Sequence, residues 1–351
     1  MRGLILLFLI FLTMLTPCYL SAAENKLNIL IWSDYMDEEN MPKDFEKETG
    51  IKVRLDFYES NEEMIAKLQA GGASQYDIIV PSDFVMQSLI NLKLIQPLDH
   101  SKIPNLIHLS EKFKNTTFDS GNIYSAGWQW GTIGLFYDKT KISEKEASSW
   151  SIIFDPEKKI GTFALIDSMR EMLGITLLYL DYDFNSIDPN QLKKAAELLI
   201  KTKKRKNCIG FKGGVGGKND VMSGSANIAV VYNGDGITAV YKNPKKFGFI
   251  VPKEGTEIWI DSMCIPAKAP NPEAAHKWIN WVLKPKVGAA LTNYNYCATP
   301  NKAALPYVNK KILEDKGIWP TPEIMDKLVF CKDLGKDTRI IDEIWTRIKS
   351  H

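Results

Sequence analysis

Short hydrophobic segments with two different periodicities follow one another in the first part of the chain. Residues 27–31 and 51–58 alternate as strands do, and residues 76–80 form a continuous apolar run. Residues 40–49 and 60–70 lie between them and carry apolar side chains at helical spacing. Strands that alternate with helices in this way predict an α/β fold, with a mixed, mostly parallel sheet flanked by helices.

The rest of the chain continues the pattern and predicts a second set of elements. Strands are expected at residues 161–166, 226–231, 247–251 and 258–266. Helices are expected through residue 180, at residues 189–201 and 274–283, and in the tail from residue 321. Residues 293–304 are expected to be irregular.

Chain length and two extended segments indicate a division into two lobes. The 351 residues exceed what one ordinary core organises. Residues 123–137, where aromatic residues and glycines alternate, are predicted to cross between the lobes, and residues 252–260 to cross back. The predicted first lobe contains residues 24–132 plus about 254–305, and the second contains residues 133–253 plus about 306–351.

Residues 1–23 have the pattern of a cleaved export signal. Arg2 is followed by an apolar run that ends in small residues, so we expect cleavage after Ala23 and an exported, soluble chain. The unbroken apolar run is too short for a membrane anchor. Cys18 leaves lipidation open as an alternative, although the proline before it fits such a signal poorly.

Composition argues against several classes of partner and cofactor. The formal net charge is +2, or +1 without Arg2, which disfavours nucleic acid as a partner. The four histidines are scattered and no C-x-x-C pair occurs, so no metal site is expected. Residues 212–218 are rich in glycine but lack the spacing of a phosphate-binding loop, so no cofactor is expected.

Four cysteines remain after the expected cleavage, namely Cys208, Cys264, Cys297 and Cys331. An even number of cysteines in an exported chain allows disulfide bonds, with three possible connectivities. We predict Cys297–Cys331 as a pair. Cys264 lies within an apolar strand and is expected to be a free core thiol.

Aromatic, acidic and small polar residues recur where the predicted strands end, and they suggest a site for an organic cation. In open α/β sheets, ligands bind outside the carboxyl ends of the strands. Ring faces attract a cation, carboxylates hold it, and methylene groups pack between the rings. The residues concerned are Trp32, Ser33, Asp34, Tyr35, Ser82, Phe84, Ser168, Glu171, Tyr232, Asp235, Trp259 and Asp261.

Catalytic interpretations have little support in the sequence. Neither a G-x-S-x-G nor an H-E-x-x-H motif occurs. The acids could form a glycosidase pair, but they are spread over both halves of the chain with no further motif. We therefore expect binding without catalysis.

Five motifs give the chain a resemblance to a known family. They are Ile-Trp-Ser-Asp-Tyr at 31–35, Tyr-Glu-Ser-Asn-Glu at 58–62, Tyr-Asp-Ile-Ile-Val-Pro-Ser at 76–82, Ile-Trp-Ile-Asp-Ser at 258–262 and Thr-Pro-Asn-Lys-Ala at 299–303. In this order they resemble the periplasmic polyamine-binding proteins of bacterial ABC importers, the putrescine and spermidine receptors. The resemblance implies a monomer with the two-lobed class II periplasmic solute-binding fold, a ligand cleft between the lobes, hinge closure and a membrane permease as partner.

The resemblance also implies roles for the residues that match the family's motifs in the first half. Trp32 and Tyr35 match stacking aromatic residues, and Ser33 and Ser82 match small hydrogen-bonding positions. Phe84 stands where the spermidine receptor has a tyrosine.

In the second half, the resemblance implies that Glu171 is a carboxylate that receives an amine. Tyr232 replaces the family's usual tryptophan, and Asp235 matches an acid of the putrescine-type receptor. Trp259 and Asp261 match a stacking ring and the main acid that binds an ammonium group.

Departures from the family pattern bear on which polyamine is bound. Ser168 and Cys331 stand where the spermidine receptor carries an aspartate and a glutamine, and together with Asp235 they favour putrescine over spermidine. Asp34 would add an acid and admit a longer ligand, so dual specificity stays open. Tyr294 completes the expected ligand residues.

Two alternatives share the same pocket. The chain could present a polyamine to a membrane signalling receptor instead of a permease. The same cage could also serve another organic cation such as an amino acid, whose carboxylate would need an arginine, for which Arg170 is the nearby candidate.

Overall fold

The strands of the molecule form one continuous mixed sheet. The computed structural model describes residues 25–33, 35–213 and 215–351. The strands are β1 (Lys26–Trp32), β2 (Lys52–Tyr58), β3 (Ile78–Ile79), β4 (Ile95–Gln96), β5 (Ser125–Asp138), β6 (Phe163–Ile166), β7 (Cys208–Lys212), β8 (Ile228–Tyr232), β9 (Phe247–Ile250) and β10 (Ile258–Pro266).

Helices cover the faces of this sheet, and short 3₁₀ turns join several elements. The α-helices are α1 (Asn40–Thr49), α2 (Asn61–Gln69), α3 (Met86–Asn91), α4 (Glu111–Lys114), α5 (Glu144–Ala147), α6 (Ser151–Phe154), α7 (Met169–Tyr179), α8 (Pro189–Lys203), α9 (Gly216–Ser223), α10 (Asn233–Lys242), α11 (Pro272–Val282), α12 (Pro285–Asn295), α13 (Lys310–Leu313), α14 (Pro322–Met325) and α15 (Thr338–Ser350).

Local sequence signals set several of the helix ends. α1 stops at Gly50, whose φ of 70° lies in the left-handed region that glycine adopts without strain. α2 starts after Ser60, whose hydroxyl accepts the N–H of Glu63, as the capping pattern predicts. α8 starts after Asp188, whose carboxylate accepts two backbone N–H groups of the first turn.

Two regions of parallel strands are connected by antiparallel pairs at the centre of the sheet. The strand order is β2-β1-β3-β10-β5-β8-β6-β7, with β4 paired to β10 and β9 paired to β5. β1 is parallel to β2 and β3, and β6 is parallel to β7 and β8, whereas β10 is antiparallel to β3 and β5. The predicted mixed α/β sheet is therefore confirmed.

β5 is the strand that joins the two regions. All 14 of its residues are buried. Its first part pairs with β10, from Ser125 opposite Cys264 to Thr132 opposite Ile258, and its second part pairs with β8 and β9. The extended segment predicted at 123–137 is thus one unbroken strand, and β10 runs back beside it.

Each region of the sheet has its own hydrophobic core. In the first region, Leu27 of β1 packs with Phe45 of α1 and Trp278 of α11, and the last two rings meet edge to face at 4.9 Å. In the second region, Phe163 of β6 packs with α7 and α8, and Ile341 of α15 closes this core from the tail. The assignment of residues to two lobes remains a prediction.

Some elements differ from the sequence prediction. β3 is limited to two residues, whereas the apolar run predicts a strand over 76–80. Next to it, Asp77 donates its N–H to the Asn28 carbonyl, and its carboxylate accepts the N–H groups of Asn28 and Asn271. α12 replaces the start of the segment expected to be irregular, and it ends at Tyr296 with a φ of 62°. The expected export signal lies outside the described residues.

The predicted Cys297–Cys331 disulfide is wrong, and in the described part of the chain all four cysteines are free thiols. Cys331 packs in the core of the second region, whereas Cys297 lies where a Cβ on Gly234 would fall 2.8 Å from its sulfur. The two thiols thus belong to different surroundings. Cys264 is a buried core thiol, as expected. Within the described ranges, no helix is long and apolar enough to cross a membrane.

The free thiols lead to a first prediction. For the chain without residues 1–23, we expect a thiol titration in denaturant to count four thiols, with the same count before and after reduction. In the native protein, burial raises the pKa of all four thiols, but half-buried Cys208 should react first because Cys264, Cys297 and Cys331 are also shielded from the reagent. Two thiols before reduction and four afterwards would instead establish a disulfide bond.

Candidate functional site

β10 and the residue before it present three site residues, at alternate positions, on one face. Glu257 immediately precedes the strand in an isolated bridge with Val329, and Trp259 and Asp261 follow at alternate positions. Side chains two residues apart on a strand point to the same side. The neighbouring strand makes room for them, because a Cβ on Gly131 would lie 2.4 Å from Cζ2 of Trp259.

The end of β1 brings aromatic rings to the same place. The indole N–H of Trp32 donates to the carbonyl of Val80 at 3.1 Å, and its ring lies 4.4 Å from that of Tyr58. The Tyr35 hydroxyl is buried close to the Asp261 carboxylate, although it forms no hydrogen bond of good geometry within the described residues. Tyr35 and the Trp32–Tyr58 pair are thus held near Asp261.

Ser33 lies further out than the neighbouring rings. Its hydroxyl donates to the exposed carboxylate of Glu59 at 3.0 Å. Asp34, the acid predicted beside it, lies outside the described residues.

The turn after Val80 contributes a small polar residue, an acid and a ring. Ser82 faces Asp261 in an isolated antiparallel bridge, and its N–H donates to Asn61 at 3.2 Å. Asp83 is 1% exposed and accepts the N–H of Phe84 at one oxygen, while its other oxygen has no hydrogen-bond partner in the described chain. Phe84 packs against the cores of both regions.

The second region supplies a carboxylate at the start of a helix. Ser168 is the N-cap residue of α7, and Glu171 lies in its first turn, where the helix dipole favours negative charge. The Tyr232 hydroxyl, at the end of β8, donates to Oε1 of Glu171 at 2.9 Å. The Tyr232 ring meets the Trp259 ring edge to face, with 6.4 Å between centroids.

Four buried carboxylates therefore converge, and we call Asp83, Glu171, Glu257 and Asp261 the acid cluster. Burial raises the pKa of Glu171 to about 7 and that of Asp261 to about 6. Burial, together with the neighbouring acids, holds the pKa values of Asp83 and Glu257 well above their usual range. The Arg170 guanidinium lowers the pKa of Glu171 and of Glu257, but it also donates to the Lys332 carbonyl at 2.9 Å.

Two predicted site residues stand apart from the acid cluster. The Asp235 carboxylate, in the first turn of α10, lies 3.5 Å from the Lys218 ammonium, so it already has a cation beside it. Tyr294, near the end of α12, is 50% exposed. Its neighbour Asn295 is closer to the site, since its amide donates to the Tyr35 carbonyl and to buried Gln129.

Asp83 and Glu257 are the residues that the sequence analysis missed. Asp83 lies between Ser82 and Phe84, both of which were included for their position after a strand. Glu257 shares the two-residue spacing of Trp259 and Asp261. The alternation along β10 was therefore the available signal for Glu257.

The chemistry of the site is that of a cation receptor. The described residues contain no cluster of histidine, cysteine and acids arranged to hold a metal ion. Buried carboxylates without enough positive charge, next to aromatic rings, suit an organic cation that supplies charge and apolar contact together. Fold and site together define a binding protein for small solutes, with the site at the junction of two sheet regions.

Comparison with known proteins agrees with this class. A family profile described as bacterial extracellular solute-binding protein matches residues 40–321, and the chain belongs to this family. The two-lobed class II periplasmic solute-binding fold that the resemblance implied is thereby confirmed.

Individual relatives match over almost their whole length. The chain is 36% identical to the putrescine-binding periplasmic protein of Pseudomonas aeruginosa, over 94% of this chain and 93% of that one. It is 32% identical to the spermidine/putrescine-binding periplasmic protein of Escherichia coli, over 93% and 92%. A solved spermidine/putrescine ABC transporter substrate-binding protein from Streptococcus pneumoniae superimposes with a TM-score of 0.83 at 32% identity, covering 93% of this chain and 98% of that one.

The acid cluster predicts an unusual pH dependence of stability. The pKa of Glu171 rises from an ordinary value of 4.5 to about 7 in the folded protein, so between these values the folded state holds a proton that the unfolded chain has lost. The free energy of unfolding of the ligand-free protein should therefore fall as the pH rises through this window. We expect thermal unfolding midpoints a few degrees lower at about pH 8 than at about pH 5.

A matched pair of variants assigns this effect to the cluster. Glu171→Gln should flatten the dependence, whereas Glu157→Gln, at an exposed turn, should leave it unchanged. An unfolding midpoint of the ligand-free protein that rises over the same pH range would contradict the prediction.

Proposed function

We propose that the chain is a polyamine receptor that binds putrescine or spermidine and delivers it to a membrane permease of an ABC importer. The ligand is bound and released without chemical change. The proposal is supported by relatives whose names specify putrescine and spermidine as ligands. Export through the signal at residues 1–23 and a periplasmic, monomeric receptor are part of the same proposal.

The observation that carries the proposal is the uncompensated charge of the acid cluster. Four buried carboxylates lie close to one another. Burying an anion without a partner costs on the order of several kcal/mol, unless the anion takes up a proton or meets a cation. A polyamine brings two or three ammonium groups into this space. These ammonium groups would replace the protons that Glu171 and Asp261 keep because their pKa values are raised.

The aromatic residues fit the apolar part of such a ligand. Tyr35 lies beside Asp261, the Trp32 ring pairs with Tyr58, and the Tyr232 ring meets that of Trp259. Methylene groups of an extended polyamine would pack against these rings, and each ammonium would also be attracted by the ring faces. The cage thereby distinguishes a slender polycation from a metal ion or a bulky base.

Contacts between the two sheet regions indicate how the site would close. Phe84 of the first region packs against the core of the second, and the Ser88 hydroxyl donates to Asp333 at 2.9 Å. We propose that ligand binding brings the lobes together by hinge motion at the strands that cross between them, and that the closed form docks on the permease.

Direct calorimetric titration tests the proposal. The protein is unfolded to remove ligand, refolded, and titrated with putrescine, spermidine and arginine. We expect one polyamine to bind per chain and arginine to bind much more weakly. A chain that refolds to the native circular dichroism spectrum yet binds neither polyamine would overturn the proposed function.

Asp261 gives the sharpest prediction about an individual residue. Asp261→Asn removes the negative charge but keeps the size of the side chain, so a buried ammonium loses its partner and polyamine affinity should fall about 10- to 100-fold. Asp138→Asn, a buried acid at the far end of β5, is the matched control and should keep wild-type affinity. Binding by Asp261→Asn within about twofold of wild type would remove Asp261 from the ligand site.

A further inference from the structure

Glu257 has the least satisfied carboxylate among the described residues. Its side chain is 0% exposed, and neither of its oxygens has a hydrogen bond of good geometry in the described chain, although the Glu171 carboxyl lies within hydrogen-bonding reach of it. It faces Glu171 and Asp83, and burial together with these two neighbours keeps its pKa well above the usual range. It also lies within electrostatic reach of Asp261 and of the half-buried Arg170.

Other buried acids of this chain, in contrast to Glu257, accept hydrogen bonds from several donors. Asp77 accepts the N–H groups of Asn28 and Asn271 at 2.8 and 2.6 Å. Asp119 accepts the Ser125 hydroxyl at 2.6 Å and further backbone N–H groups. Buried polar groups are nearly always hydrogen-bonded, so a carboxylate left without donors beside a ligand site indicates a partner that arrives with the ligand.

The spacing along β10 indicates the length of that ligand. Four residues of strand separate the Cα atoms of Glu257 and Asp261, a distance of about 13 Å, with Trp259 between them on the same face. In a staggered chain each bond advances about 1.25 Å, so the end nitrogens of putrescine lie about 6 Å apart and those of spermidine about 11 Å apart. Of the two ligands, the longer one has a span comparable with this Cα separation.

The net charge of the acid cluster also favours the longer ligand. With all four acids of the cluster ionised and Arg170 as the nearest cation, a net charge of −3 remains, which equals in size the charge of a triamine. A diamine would leave one acid to be neutralised by a proton. Asp235 does not change this balance, because Lys218 lies 3.5 Å from it.

We propose that Glu257 binds an additional ammonium group and makes this chain select a linear triamine such as spermidine over a diamine. The inference rests on the proposed function and deepens it. This preference is opposite to the one for putrescine that Ser168 and Asp235 suggest, because Glu257 adds an acid that lies outside the family's motifs. Glu257 is thus a specificity-determining residue of the site.

The test compares two ligands on two matched variants. Wild-type protein, Glu257→Gln and Glu254→Gln are titrated calorimetrically with putrescine and with spermidine. We expect Glu257→Gln to weaken spermidine binding about 10- to 100-fold and putrescine binding by less than about threefold. Glu254 lies on the same segment, and its carboxylate already accepts hydrogen bonds from Ser149 and the Trp150 backbone, so its variant should keep both affinities.

A second measurement needs no variant and applies even if Glu257→Gln fails to fold. N-acetylated spermidine keeps the chain length but replaces one end ammonium by a neutral amide, so wild-type protein should bind it at least about tenfold more weakly than spermidine. Equal affinities for spermidine and its acetylated form, or the same loss for both polyamines in Glu257→Gln, would overturn the role of Glu257 while leaving the receptor intact. Wild-type protein that binds neither polyamine would instead refute the proposed function itself.

Discussion

The antiparallel pairing of β5 with β10 is the constraint on which the rest of the molecule depends. These two strands lie side by side at the centre of the sheet, and each extends from one region toward the other. The same pairing aligns Gly131 with Trp259 and Gln129 with Asp261. Because the strands that hold the two regions together also position the rings and acids, a shift of register here would disturb the architecture and the site at once.

The acid cluster and the apolar cores around it favour opposite environments. Apolar cores on both sides favour a dry interior, whereas carboxylates favour water, and this conflict is visible in the raised pKa values of Glu171 and Asp261. A cation of matching length relieves the conflict and leaves the apolar contacts in place. Ligand affinity and the electrostatic instability of the empty site therefore have one physical origin.

The sequence predicted those parts of the site that follow from local pattern. Trp32 and Tyr35 follow an alternating strand, and Glu171 follows another strand at a helix start, so their positions could be inferred. For Glu257, the alternation along β10 gives the face on which it lies, but its burial depends on residues distant in the sequence, such as Val329 in the bridge and Glu171 beside it. The ion pair between Lys218 and Asp235 likewise depends on how α9 and α10 meet.

The prediction of a disulfide between Cys297 and Cys331 was wrong for a related reason, because the number of cysteines says nothing about the distance between them. The absence of cross-links in the described chain has a practical consequence. Folding needs no oxidation step, so it does not wait for disulfide formation, which takes seconds to hours. The protein can therefore be produced in a reducing host compartment, and its refolding from denaturant requires no cysteine pairing.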